Sequence, residues 1–182
     1  DAVSMLDTKP EVIYNAVFKN LKNGDQRYNH LVSEWRRQRK LLKITSFLVK
    51  FGISRKNVMK INEEIPIEYD DLGAVIRDNP YYLMNVPGVH IDINVCDEIA
   101  KRIHYPLDSP ERIKAGMKYV LRAAMQSGNM FLYSSGKKGL VELVSNQIHV
   151  EGSEVAAVLN KRPKGFVLEQ DKSTGNYRVY LD

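Results

Sequence analysis

Gly52 separates two apolar helical patterns and is followed at once by Ile53, Ser54, Arg55 and Lys56. A glycine hairpin that feeds straight into a helix leaves the first N–H groups of that helix without intrahelical partners. Those amides and the positive end of the helix dipole suit a phosphate, and Arg55 and Lys56 add charge beside it. Such a grip reads a sugar–phosphate backbone and not the bases. The same letters also describe a plain helix–turn–helix corner in which Gly52 does no more than end the first helix. Local sequence leaves both readings open.

The densest basic run is Trp35-Arg36-Arg37-Gln38-Arg39-Lys40, with Lys43 beyond it. Arg36, Arg39, Lys40 and Lys43 fall at i, i+3, i+4 and i+7, one stripe of a helix. The stripe could follow phosphates, with an affinity that falls as salt rises, or it could be a solvated face opposite Trp35 and Leu42. Pro87-Gly88-Val89-His90 has the form of a second hairpin, but Asp92 follows closely. A carboxylate there repels phosphate, so packing or protein contact is the expected role.

Catalytic chemistry finds no foothold. Gly136-Lys137-Lys138-Gly139 lacks both the earlier glycine and the Ser or Thr after the lysine that a phosphate-cradling P-loop needs. His30, His90, His104 and His149 are scattered, without HExxH spacing or partner cysteines, so no metal site is expected. No G-x-S-x-G is present, and Cys96 sits on an apolar helical pattern, where a core cysteine is the expectation. A single cysteine also excludes an internal disulfide and fits a reducing, cytoplasmic setting. No catalytic residue, cofactor or metal is therefore expected within these 182 residues.

Lys and Arg number 27 against 22 Asp and Glu, a net +5, a mild bias toward anionic partners whose distribution matters more than its size. No stretch nears 18 uncharged apolar residues, so a membrane span is not expected. The chain opens on Asp1-Ala2-Val3-Ser4-Met5, with no leader-like pattern and no initiator methionine, which leads to the expectation of a piece of a longer parent.

Thr8-Lys9-Pro10-Glu11 predicts a helix with a hydroxyl cap, stopped near Gly24. A long helix is predicted over 27–51, with Leu31, Trp35, Leu42, Ile44, Phe47, Leu48 and Phe51 on its apolar face. Ser54 should cap the next, which carries Val58, Met59 and Ile61. Asp70 or Asp71 should start another through Leu72, Val75 and Ile76, ended by Asn79-Pro80. Asp92 should cap a helix with Val95, Ile99 and Ile103 inward, and Ser109-Pro110-Glu111 opens the clearest one, lined by Ile113, Met117, Val120, Leu121 and Ala124. Helices over 137–146 and 152–161 then precede two strands, Phe166-Val167-Leu168 and Tyr177-Arg178-Val179-Tyr180-Leu181, around a polar turn. Helix, helix, β-hairpin is the order of a winged-helix unit, with 152–161 as its recognition helix followed by Lys161, Arg162 and Lys164. Packing is favoured over DNA contact for that unit.

Several segments carry a family resemblance. They are Trp35-Arg36-Arg37-Gln38-Arg39 leading to Phe47-Leu48-Val49-Lys50-Phe51-Gly52-Ile53-Ser54; Arg77-Asp78-Asn79-Pro80-Tyr81-Tyr82-Leu83; and Cys96-Asp97-Glu98-Ile99-Ala100. The most specific is Asp108-Ser109-Pro110-Glu111-Arg112-Ile113-Lys114-Ala115-Gly116, running on to Tyr119-Val120-Leu121 and Gly128. In order and spacing over residues 25–133 the chain resembles the N-terminal region of RecD-like DNA helicases, and over 134–182 it matches in layout more than in letters. One departure is clear: Gly88-Val89-His90-Ile91-Asp92-Ile93-Asn94 lacks the second glycine usual in the family's hairpin.

The resemblance implies a mainly α fold: tandem helix-hairpin-helix elements and a small C-terminal winged-helix-like α+β module. The expected divisions are 1–25, an N-terminal helix; 26–105, the tandem hairpins; and 106–182, the long helix with the winged module. It further implies a parent that is an ATP-dependent helicase of superfamily one moving 5′ to 3′ on single-stranded DNA, with ATP and Mg2+ held by motor domains whose motifs this chain lacks. The partners so implied are single-stranded or junction DNA and the motor, on the same parent chain or on a partner subunit. Two other roles stay open: a protein-interaction module that never touches DNA, and an independent winged-helix regulator. In the DNA-engaging role, Gly52, Ile53, Ser54, Arg55 and Lys56 grip the backbone, supported by Arg36, Arg39, Lys40 and Lys43.

Overall fold

A computed structural model describes residues 5, 6 and 8–182. Residues 1–4, on which the reading of a missing leader rests, lie outside the described residues. The chain divides into two compact units, Asp1–Val75 and Ile76–Asp182.

In the first unit, α1 (Pro10–Ile13) runs on into a π-helical turn, Tyr14–Phe18. Pro10 holds the first helical turn, but the N-cap position is Lys9, where the sequence predicts Thr8. Gly24 is not a stop either. Asn23 takes the left-handed conformation (φ 59°) and Gly24 begins α2 (Gly24–Val49), because a Cβ there would collide with the Phe18 carbonyl oxygen. Close approach, and not a positive φ, makes the glycine necessary. Of the 26 residues of α2 only Gly24 and Leu48 are buried. Leu42, expected inward, is 63% exposed. Six residues at about 100° each put it about 120° away from Leu48 around the helix.

Helix α3 (Arg55–Glu63) buries Val58 and Ile61 and turns Met59 outward. Asp71, one of the two expected starts, accepts the Ala74 N–H at 2.9 Å and opens α4 (Leu72–Asp78). Leu48, Ile53, Val58, Ile61, Leu72 and Val75 form the buried apolar set of this unit.

The second unit begins at Ile76, within α4, and Asn79-Pro80 ends that helix. A 3-10 segment, Pro80–Asn85, follows, which the sequence pattern does not separate from its surroundings. Helix α5 (Ile93–Arg102) is capped by Asp92 as expected, but its buried residues are Ile93, Cys96, Ile99 and Ala100, with Val95 and Ile103 only half-buried. Burial pushes the Cys96 thiol up to about 12, with help from Asp97 and Asp92, which fits a core cysteine. Helix α6 (Pro110–Gln126) is capped by Ser109, whose Oγ accepts the Arg112 N–H at 3.3 Å. It ends at Gly128 (φ 87°).

Next come β1 (Leu132–Tyr133), α7 (Leu140–Ile148), α8 (Gly152–Asn160), β2 (Phe166–Gln170) and β3 (Tyr177–Leu181). Helix α7 starts three residues later than expected, since Gly136 (φ 97°) and the extended Gly139 turn the chain first. The strands form an antiparallel sheet in the order β1–β3–β2, with Leu132 opposite Val179 and Leu168 opposite the same residue on the other side. Val179 is fully buried, while Arg178 and Tyr180 alternate to the opposite face. The expected class holds: mainly α, with helical hairpins and a small C-terminal α+β module.

Candidate nucleic-acid interface

The first hairpin is built by its own backbone. Leu48 carbonyl oxygen accepts the Ile53 N–H at 3.4 Å and Val49 carbonyl oxygen accepts the Gly52 N–H at 3.0 Å. This crossed pair is a Schellman motif with Gly52 in the left-handed position at φ 80°. The positions at which such a motif places its hydrophobic contact are Leu48 and Ile53, which are 0% and 4% exposed. Ile53 is thus an anchor, while Gly52, Ser54, Arg55 and Lys56 are exposed. Ser54 Oγ accepts the Asn57 N–H at 3.2 Å, a neutral cap. The N–H groups of Ser54, Arg55 and Lys56 have no acceptor among the described residues.

A Cβ at Gly52 would meet nothing within 4 Å, so only backbone strain opposes a side chain there. Gly52→Ala should cost about 1–2 kcal/mol. Urea midpoints of the two proteins measure it; equal midpoints would show that the turn does not need the left-handed conformation.

The four basic residues of α2 are not equivalent. Lys40 Nζ pairs with Asp71 at 3.0 Å, and Arg39 lies over the Trp35 ring at 5.9 Å from its centroid. Arg36 and Lys43 are exposed and make no ion pair among the described residues. The stripe therefore exists, with Lys40 partly neutralised.

The second hairpin has different electrostatics. Gly88 is left-handed at φ 66°, but the cap of the following helix is Asp92, whose Oδ1 accepts the Asn94 N–H at 2.8 Å. A carboxylate stands where the first hairpin has a hydroxyl, and it opposes phosphate.

Sequence reasoning missed a buried polar cluster. Arg112 Nε and an Nη donate to the two Asp97 carboxylate oxygens at 2.8 and 2.7 Å, a bidentate pair. Its other Nη donates to Leu107 carbonyl oxygen at 3.0 Å, and Tyr81 hydroxyl donates to Asp97 at 2.7 Å. Burial pushes the Asp97 carboxyl up, but the Arg112 and Tyr81 hydrogen bonds and the Arg112 charge outweigh it and hold the group below the usual carboxylate range. This cluster ties the 3-10 segment, α5 and α6 together and is structural. The available signal was Arg112 one turn before Gly116, a small residue on the packed face of α6.

No group of three potential metal ligands occurs among the described residues, and no helix among them is long and apolar enough to cross a membrane.

A search of curated proteins finds no match to the chain. A family model described as the ATP-dependent RecD2 DNA helicase HHH domain matches residues 37–131, a span that takes in both glycine hairpins, Ser109 and all of α6. With more than half its length matched, and with the hairpin geometry described above, the chain belongs to the family of RecD2 DNA helicase helix-hairpin-helix domains.

Proposed function

We propose that the chain is a non-catalytic region of a RecD-like ATP-dependent helicase that holds DNA by its backbone, without sequence preference. The observation that carries this is the first hairpin. Unpaired N–H groups at Ser54, Arg55 and Lys56 open a nine-residue helix beside two exposed cations, and the cap is neutral. Gly52 and Ile53 shape that turn, and Arg36, Arg39, Lys40 and Lys43 supply the surrounding positive field. ATP and Mg2+ belong to the parent's motor in this reading, and the motor, on the same chain or a partner subunit, is the protein neighbour. The α6–β3 segment acts as a winged helix that packs more than it reads.

The test is titration of labelled single-stranded and duplex DNA over a range of salt. Arg55→Glu with Lys56→Glu should weaken binding to every sequence alike. It should also flatten the salt dependence on single strands by about 1.4, at about 0.7 for each phosphate no longer neutralised. Unchanged affinity and slope would remove this site.

A second reading, a protein-docking module, draws on Leu31, Leu42 and Val49, which are 38%, 63% and 42% exposed on α2. It predicts no DNA binding at low salt and tight binding to the parent's motor domains.

A further inference from the structure

A cavity of about 1010 Å3 opens in the second unit between the last turns of α6, the turn that leads into β1, and residues 135–139. Tyr119, Phe131 and Tyr133 line it, Lys137 and Lys138 stand at its border, and no Asp or Glu is among its lining residues. Phe131 and Tyr133 meet edge to face at 5.3 Å, and Arg178 Cζ lies 5.2 Å from the Phe131 centroid. Two carboxylates stand beside these residues: Asp171 accepts from Tyr133 hydroxyl at 2.9 Å and pairs with Arg178 at 2.7 Å, and Glu142, outside the lining, accepts the Lys138 backbone N–H at 2.7 Å, so the Lys137 and Lys138 ammonium groups and not the backbone amide are left for a phosphate.

We infer that this cavity takes unpaired nucleotides of a DNA strand, with a base against Phe131 and Tyr133 and the adjoining phosphates toward Lys137 and Lys138. Aromatic rings interleaved with cations are the common means of holding single strands, since every base offers a flat face. The volume sits at the upper end of the range for small-ligand sites, about 300–1,000 Å3, which leaves space for more than one base. Lys137 and Lys138 are exposed, so the phosphates stay at the rim in solvent, where a strand can continue in both directions. A free nucleotide would need its phosphates enclosed, and Gly136-Lys137-Lys138-Gly139 has no hydroxyl to hold magnesium. The inference rests on the reading of the chain as DNA-engaging but uses residues of the other unit.

The experiment uses the full 182-residue chain with a 5-iodouracil-substituted single strand of about 12 nucleotides, within the usual span of such sites. Photocrosslinking followed by peptide mapping should mark Phe131 or Tyr133. Phe131→Leu, and separately Lys137→Ala with Lys138→Ala, should each weaken single-strand binding about tenfold and leave duplex binding unchanged. The lysine pair is exposed and keeps the assay meaningful if Phe131→Leu misfolds. Parental affinity in both variants, with no crosslink in 129–138, overturns the inference. Displacement of the strand by an equimolar mononucleotide also overturns it and assigns the cavity to a free nucleotide. If Arg55→Glu with Lys56→Glu abolishes binding while the cavity variants do not, the hairpin grip survives and the cavity site falls. The reverse pattern keeps the cavity and removes the grip, and absence of any DNA binding by the parent protein removes both.

Discussion

Arg112→Ala should destabilise the second unit by about 3–5 kcal/mol, among the largest effects of any single substitution in the chain. The residue is 8% exposed and its side chain makes three hydrogen bonds, two of them to Asp97. Alanine leaves the largely buried Asp97 carboxylate with only the Tyr81 hydroxyl as a side-chain donor. For a unit of about 100 residues each kcal/mol moves the melting midpoint by at least about 4 °C, so a fall of at least about 12 °C is expected. The effect depends on pH in a defined direction. Asp97 is held below its ordinary value in the folded parent, so its contribution is complete above about pH 4 and is lost as pH falls through the folded-state value. Without Arg112, burial dominates and raises the carboxyl, so the variant no longer loses stability at this group on acidification. The gap between parent and variant therefore narrows below about pH 4. Arg112→Lys keeps the charge but not the two-pronged geometry and should recover only part of the loss. A drop smaller than about 1 kcal/mol at neutral pH would show the pair to be replaceable by water.

What can be read from the letters alone is whatever is local. Ser54, Asp92 and Ser109 are legible as caps because a side-chain oxygen and an N–H two or three residues on are enough to define one. Gly52 is legible for the same reason: a left-handed residue between two helices favours glycine. What fails depends on distant partners. Leu42 fits an apolar pattern and is exposed, because no described element covers that side of α2. Gly24 fits a stop signal, yet its role is set by Phe18 from the preceding turn. Strand β1 has two residues, too few for any alternation to register, and it exists because β3 offers it a ladder. The candidate site divides along the same line. The Gly52 turn and the neutral cap are local, whereas the pairing of Lys40 with Asp71 and the gathering of Phe131, Tyr133 and Lys137 around one cavity are tertiary facts.

Leu48→Ala is the second large effect, and it separates the architecture of the hairpin from its surface. Leu48 is fully buried, and its carbonyl oxygen accepts from both Phe51 and Ile53. Its side chain and that of Ile53 are both buried, at the two positions where a Schellman motif places its apolar contact. Truncation should cost about 2–5 kcal/mol, the range for a buried leucine whose cavity does not fully collapse. Hydrogen exchange locates the loss. Amides of α3, around Val58 and Ile61, should exchange about 30-fold faster or more, while those of α6 in the other unit serve as the internal control. The DNA binding proposed for the hairpin should weaken as well, because exposed N–H groups grip a phosphate only when the turn behind them is fixed. Arg55→Glu with Lys56→Glu should do the opposite, losing DNA while keeping parental exchange rates in α3. If Leu48→Ala left both exchange and DNA affinity at parental values, the turn would be held by its backbone hydrogen bonds alone. Pre-organisation by the Leu48–Ile53 contact would then have no part in presenting those amides.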